Sequence, residues 1–407
     1  MKVLTILQNI NMKKTTIIVL ILFLSNFVAL GWGFFAHKRI NRLAVFCLPP
    51  EMINFYKRNI SYITDHATDP DSRRNMVKDE ACRHYIDIDI YDKVYGDSAV
   101  YKMPRYWKDA VEKFSEDTLK AYGIVPWQIN LMKFQLTQAF KDKNAKRILK
   151  LSADIGHYIG DANVPLHTTE NYNGQRTGQV GIHGFWESRL PELFSDNYDF
   201  FVGQASYLKN PQLTAWEAVT NANNALDSVL RFEKELTKQF GEDKKFTMEE
   251  RNKINMRTYS REFSTAYHKR LDGQVERRFR AALKMVADFW YTAWVDAGQP
   301  NLDLLDVSFT EAEMKEMEEE RLFKEDKSIQ VRPHDNASIR TNTYNTHDCG
   351  HEHNDNQENP TNDNYFLAGI APQSPTKKSS KNFQNNYKNE WFIRPKKINV
   401  LLAETEK

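Results

Sequence analysis

Apolar positions recur at helical spacing along most of the chain, up to about residue 325. In "RYWKDAVEKFSEDTLKAYG" (105–123), Trp107, Val111, Phe114 and Leu119 fall on roughly one stripe, as in a helix with one face turned to a core. "VPWQINLMKFQLTQAFKDK" (125–143) has a proline near its entry and carries Ile129, Met132, Phe134, Leu136 and Phe140. "NAKRILKLSADIGHYIGDANVP" (144–165) follows and stops where Pro165 forbids continuation. Longer helical patterns cover 213–240, 247–271 and 274–297. The last is apolar almost all round, which predicts burial. Strand signals are confined to pieces such as "HYIDIDIY" (84–91), and no internal repeat is visible. The pattern predicts an all-α fold, a single multi-helical domain over 32–325.

The two ends break this pattern. Lys13 and Lys14 precede "TTIIVLILFLSNFVALG", which closes on Ala29-Leu30-Gly31. That layout predicts a signal peptide over 1–31, cut after Gly31, and Met12 is an alternative start. The apolar run Ile17 to Leu24 is short against the ~20 residues of a membrane span. The protein is therefore expected to be exported, to the periplasm or outside the cell. At the other end, 326–407 is rich in asparagine and poor in aliphatics, and it predicts a largely disordered tail. His347, Cys349, His351 and His353 lie there without a periodic scaffold, and we read them as incidental.

Composition narrows the classes. A net charge of +2 over 407 residues gives no overall basic field for nucleic acid. The 41% hydrophobic content suffices for a packed core. Three cysteines (Cys47, Cys82 and Cys349) are too few for a disulfide scaffold, and nothing supports a Cys47–Cys82 bridge.

The chemistry concentrates in "GHYIGDANVPLHTTENYNGQRTGQVGIHGFWESRL" (156–190). His157, Asp161, His167, His183 and Glu187 fall there, in a chain with only 11 histidines. His157 and Asp161 are spaced i, i+4, so both project from one helix face, and His183 and Glu187 repeat the spacing. Imidazoles with carboxylates are the ligand types of Zn²⁺. One such pair would read as an ordinary ion pair. Two pairs plus His167 in one segment reverse that reading.

"HYIGDANVPLH" followed by "IHGFWE" resembles the trinuclear-zinc superfamily that joins bacterial phospholipase C to the zinc-dependent single-strand nucleases. Mature chains of that superfamily begin with tryptophan, with a histidine soon after. In "GWGFFAH" the expected cut falls directly before Trp32, and His37 follows. A free α-amine has a pKa of ~8, so the Trp32 amine and carbonyl are suited to chelate zinc once export has exposed them. The resemblance implies three zinc ions per chain. Asp69, His84, His157 and Asp161 would hold the first; His167, His183 and Glu187 the second; Trp32, His37 and a bridging Asp161 the third. The aspartate comes from "DHATDPDSRR", which also offers Asp65 and Asp71. Asp69 is preferred for its interval to His84, and Asp71 is the competitor.

The implied activity is hydrolysis of phosphodiesters by a metal-activated hydroxide, with Asp69 and Asp161 as the catalytic carboxylates. Glu187 and "HYIGDANVPLH" look like the phospholipase branch, and "RHYIDID" like the nuclease branch. The expected substrate is a phospholipid head group or, as the alternative, single-stranded nucleic acid. Contact with a membrane surface and a monomeric state are also expected. A reading of another class is a non-catalytic, zinc-stabilised surface-binding protein. Structural zinc fills its four positions with protein ligands, and the second group supplies three, which favours catalysis. His66 reads as a loop histidine and His268 as structural, while Tyr172, Phe185, Trp186 and Tyr198 read as packing. Whether Lys93, Arg176 and Arg189 converge on a groove is open at this level.

Overall fold

In the computed structural model the described residues are 33–310, except 75, 252, 253, 306, 308 and 309, together with 315. All fall in the first of two units, Met1–Asn345. The signal segment, Trp32, the tail and its histidine cluster lie outside them.

Five helices of 12 or more residues make the frame: α1 (Gly33–Ala44), α2 (Val125–Lys141), α3 (Ala145–Ala162), α4 (Pro211–Phe240) and α5 (Gln274–Asp296). Their ends follow local chemistry. The Asn144 side chain accepts from the Arg147 amide at the start of α3, and Asn210 does the same for Leu213 ahead of Pro211 in α4. Caps of this kind contribute about 1 kcal/mol each. α2, α3 and α5 pack on one another, and α1 lies across α3 and α5. The main core includes Tyr56 stacked on Trp290, whose indole nitrogen donates to the Ser152 carbonyl (3.1 Å). A second, smaller core gathers Leu166, Phe185, Tyr259 and Tyr267. Cys47 and Cys82 are free, buried thiols. Among the described residues, no helix is long and apolar enough to cross a membrane.

The mostly helical fold is present, with corrections. The stretch expected as one helix over 105–123 is two, Trp107–Phe114 and Glu116–Tyr122. They part at Ser115, which has a positive φ of 67° and caps the second helix through the Thr118 amide. Phe134, one of the apolar residues noted in the α2 pattern, is 58% exposed. The expected helix over 247–271 is instead an antiparallel hairpin, β1 (Phe246–Arg251) and β2 (Ile254–Tyr259), followed by a helix, Arg261–Arg270. Tertiary contacts override propensity here. Tyr259 pairs with Phe246 in the ladder and stacks on Phe185 (3.7 Å between centroids), while Glu249 pairs with the buried Arg189. The segment 84–91 forms 3₁₀ turns rather than a strand. Its amides bond to carbonyls at helical turns, Ile86 to His167 and Asp87 to Tyr122, instead of to a neighbouring strand.

Candidate metal centre

α3 carries the centre, and two glycines let α1 reach it. A Cβ on Gly160 would lie 2.7 Å from Nδ1 of His37, and one on Gly156 would overlap the Asn41 amide. Asn41 bridges the helices by donating to the Ala153 carbonyl (3.0 Å). "GHYIG" thus alternates contact points with ligands: the glycines admit α1, and His157 stacks on His37 (4.0 Å between ring centroids).

Three groups of potential ligands result: His37, His157 and Asp161; Asp71, His84 and His157; and His167, His183 and Glu187. Asp161 spans the first two. Its Oδ1 lies 3.4 Å from Nε2 of His37, while Oδ2 lies 2.9 Å from Nδ1 of His84 and 3.3 Å from Nε2 of His157. One carboxylate therefore presents a separate oxygen to each group, as expected of a bridging aspartate. In the outer group, Oε2 of Glu187 is 3.2 Å from Nε2 of His167 and 2.9 Å from Nε2 of His183.

The aspartate needs a correction. Asp71, not Asp69, joins His84 and His157, with Oδ1 at 3.6 Å from both Nδ1 of His84 and Nε2 of His157. Asp69 is buried and bonded to Nδ1 of His66 (2.7 Å). Both carboxylates sit on the short helix Asp69–Arg73, and the direction of each side chain decides between them.

Ring orientation is set from outside. Nδ1–H of His157 donates to the Ala67 carbonyl (2.9 Å), that of His167 to the His84 carbonyl (2.6 Å) and that of His183 to the Tyr172 carbonyl (3.2 Å). Each bond selects the tautomer whose Nε2 lone pair faces the group, as a metal ligand requires. His84 is turned the other way, with Nδ1 inward and Nε2 3.8 Å from Glu80. Glu80 is a residue the sequence reading missed, although Glu80–His84 has the same i, i+4 spacing as the other pairs. It is 1% exposed. The Tyr158 hydroxyl donates to it, and Arg83 (2.8 Å) and Arg73 (3.7 Å) flank it.

The electrostatics favour a cation. Burial alone would lower the pKa of His157, but Asp161 and Asp71 outweigh it and raise the pKa well above its usual range. Burial would raise the Asp161 and Glu187 carboxyls, yet the neighbouring histidines hold both well below the usual carboxylate range. The field that draws a proton to these imidazoles would equally draw a metal ion. Buried Nδ1 of His37 and Nε2 of His84 have no hydrogen-bond partner among the described residues. Mixed imidazole and carboxylate donors, preset tautomers and ionised carboxylates fit zinc. The structure gathers His37, His84, His157, Asp161, His167, His183 and Glu187 into these groups, while Trp32 lies outside the described residues.

The lesser residues resolve as well. His66 bonds to Asp69, and Nε2 of His268 shares a hydrogen bond with the Tyr198 hydroxyl (2.7 Å). Phe185, Trp186 and Tyr198 are buried in the second core, and Tyr172 lies edge-on to His183. Arg189 is engaged by Glu249 and Arg176 by Glu170 (2.6 Å), and Lys93 is exposed on a four-residue helix. No known family model and no curated protein matches the chain.

Proposed function

We propose that this protein is an exported, zinc-dependent hydrolase of phosphodiesters, of the phospholipase C kind. The observation that carries the reading is the linkage of the groups: His157 belongs to two of them, Asp161 of the first reaches Nδ1 of His84 in the second (2.9 Å), and His167 of the third donates to the His84 carbonyl. Isolated structural sites have no need to share ligands.

Asp71, His84, His157 and Asp161 would hold one ion; His167, His183 and Glu187 a second; His37 and Asp161, completed by the Trp32 amine after processing, a third. Bound zinc supplies positive charge for a phosphoryl oxygen and a water acidic enough to attack near neutral pH. The chain's own part is placement. Asp161 sets the separation of two groups with its two oxygens, the backbone carbonyls of Ala67, His84 and Tyr172 hold the rings, and burial keeps the carboxylates from dispersing their charge into solvent. Engagement of Arg176 and Arg189 by carboxylates removes two candidates for a nucleic-acid track, which supports the lipid branch over the nuclease branch.

The test is turnover by the purified, processed protein, with and without chelator. The substrates are a chromogenic phosphodiester, phospholipid vesicles and single-stranded DNA. Chelator-sensitive cleavage of the diester and the lipid is expected. Cleavage of DNA alone would move the assignment to an endonuclease, and bound zinc without turnover on any of them would leave a structural role.

A further inference from the structure

A half-open pocket lies between α1 and α5, beside the metal centre. His37 and Glu187, members of two different ligand groups, form part of its wall. Ile40, Val164 and Phe279 contribute apolar surface, and the space amounts to about 380 Å³, solvent at the mouth included. Arg278 of α5 also lines it.

Arg278 differs from Arg73, which pairs with Asp154 (3.1 Å), and from Arg189, which pairs with Glu249. Arg105 also has a buried, unpartnered Nη1, but it lies over the Trp216 ring (4.5 Å), donates through Nη2 to the Tyr101 carbonyl (3.1 Å) and does not line this pocket. Nη1 of Arg278 is buried without a hydrogen-bond partner, and no carboxylate of a described residue pairs with its guanidinium. Burial, with Arg277 nearby, depresses its pKa, and no anion restores it. A cation removed from water without a counter-charge is unfavourable. An anionic ligand would relieve that penalty, and the adjoining ligand groups make the pocket continuous with the centre.

We propose that this pocket is a phosphate-binding subsite in which Arg278 holds oxygen atoms of the substrate's phosphoryl group. The assignment deepens the hydrolase reading and rests on it for the origin of the phosphate. A guanidinium presents two parallel N–H donors that match a phosphate edge, and apolar walls strengthen the attraction by excluding water. The same walls suit the carbon arm of an ester. A quaternary ammonium arm would meet the Arg278 cation here, so the subsite favours neutral or anionic arms.

The experiment is calorimetric titration of inorganic phosphate into the purified protein as wild type, Arg278→Gln and Arg278→Lys, with zinc content measured on each. Arg278→Gln is expected to weaken phosphate binding about 10- to 100-fold, the scale of lost charge-assisted hydrogen bonds. Arg278→Lys keeps the charge without the fork and should fall between; it also serves if the glutamine variant fails to fold. Zinc content should stay the same in all three. Phosphate affinity in Arg278→Gln equal to wild type would overturn the proposal. A protein without zinc and without turnover would sink the hydrolase reading, while the same titration would still decide the role of Arg278.

Discussion

The inner and outer ligand groups use the same side chains but are built differently. The inner one hangs on α3, in the middle of a regular helix, with His84 and His157 fully buried and Asp161 at 1% exposure. The outer one stands on irregular backbone: His167 on the 3₁₀ turn Pro165–Thr168, and Glu187 in the π-helical turn Phe185–Arg189. The His183 side chain there is 25% exposed. A π turn re-aims side chains that a regular helix would misplace, and such turns recur at functional sites. Apart from Asp71, whose side chain is 26% exposed, the inner group is thus part of the core. The outer group borders the Arg278 pocket through Glu187. Stability and access have been divided between two sets of the same residues.

The contrast can be broken most forcefully at His157. His157→Ala removes a ligand shared by two groups and takes one histidine partner each from the buried Asp161 and the half-buried Asp71. It should cost about 3–5 kcal/mol of stability, lose zinc and abolish activity. His183→Ala should also lose an ion and activity, yet cost at most about 1 kcal/mol, because solvent reaches the site. Thermal melts with metal analysis compare the two. Equal destabilisation would erase the distinction between core and rim.

Next in size is the aspartate pair. Asp71→Asn should empty the inner zinc position, and Asp69→Asn should leave it filled, since Asp69 bonds His66. Zinc stoichiometry of the two variants decides it, and the reverse result would return the ligand role to Asp69. A smaller effect is expected for Glu80→Gln. Outer partners of ligating histidines are worth about 10- to 100-fold in metal affinity, so chelator competition should show weakening confined to the inner ion. Weakening of all three ions alike would mean that Glu80 acts on the fold rather than on His84.

The smallest effect lies away from the centre. Burial holds the His268 imidazole below its ordinary value of 6.5. Glu276, which pulls the other way, does not offset this, and Tyr198 and Phe194 complete the ring's contacts. The fold therefore favours the neutral ring. Its stabilisation is present above 6.5 and lost as pH falls below that value, where the unfolded chain takes up the proton first. Melting temperatures on either side of that pH should drop slightly less toward acid in His268→Gln than in wild type. An unchanged slope would dismiss the effect.

What could be read without coordinates followed from periodicity. α2 through α5 announce themselves by apolar spacing, and two i, i+4 pairs, His157–Asp161 on α3 and His183–Glu187 outside those helices, placed four of the ligands, while His37 and His84 came from the family resemblance. The hairpin did not, because Met, Glu and Arg in 246–259 favour helix locally while Phe185 and Arg189, far off in sequence, hold Tyr259 and Glu249. Asp69 and Asp71 are inseparable by spacing alone on a helix of five residues. Glu80 was legible in principle. Arg278 was not: in "ERRFR" it is one of three arginines, and only packing shows that Arg280 meets Asp199 (2.9 Å), Arg277 is exposed and Arg278 turns inward unpaired.

The most direct test of the whole account is anomalous diffraction at the zinc edge from crystals of the processed protein. We predict three peaks: one among Asp71, His84, His157 and Asp161, one among His167, His183 and Glu187, and one at His37 and Asp161. Crystals grown with saturating zinc that show no peak at any of these positions would contradict it.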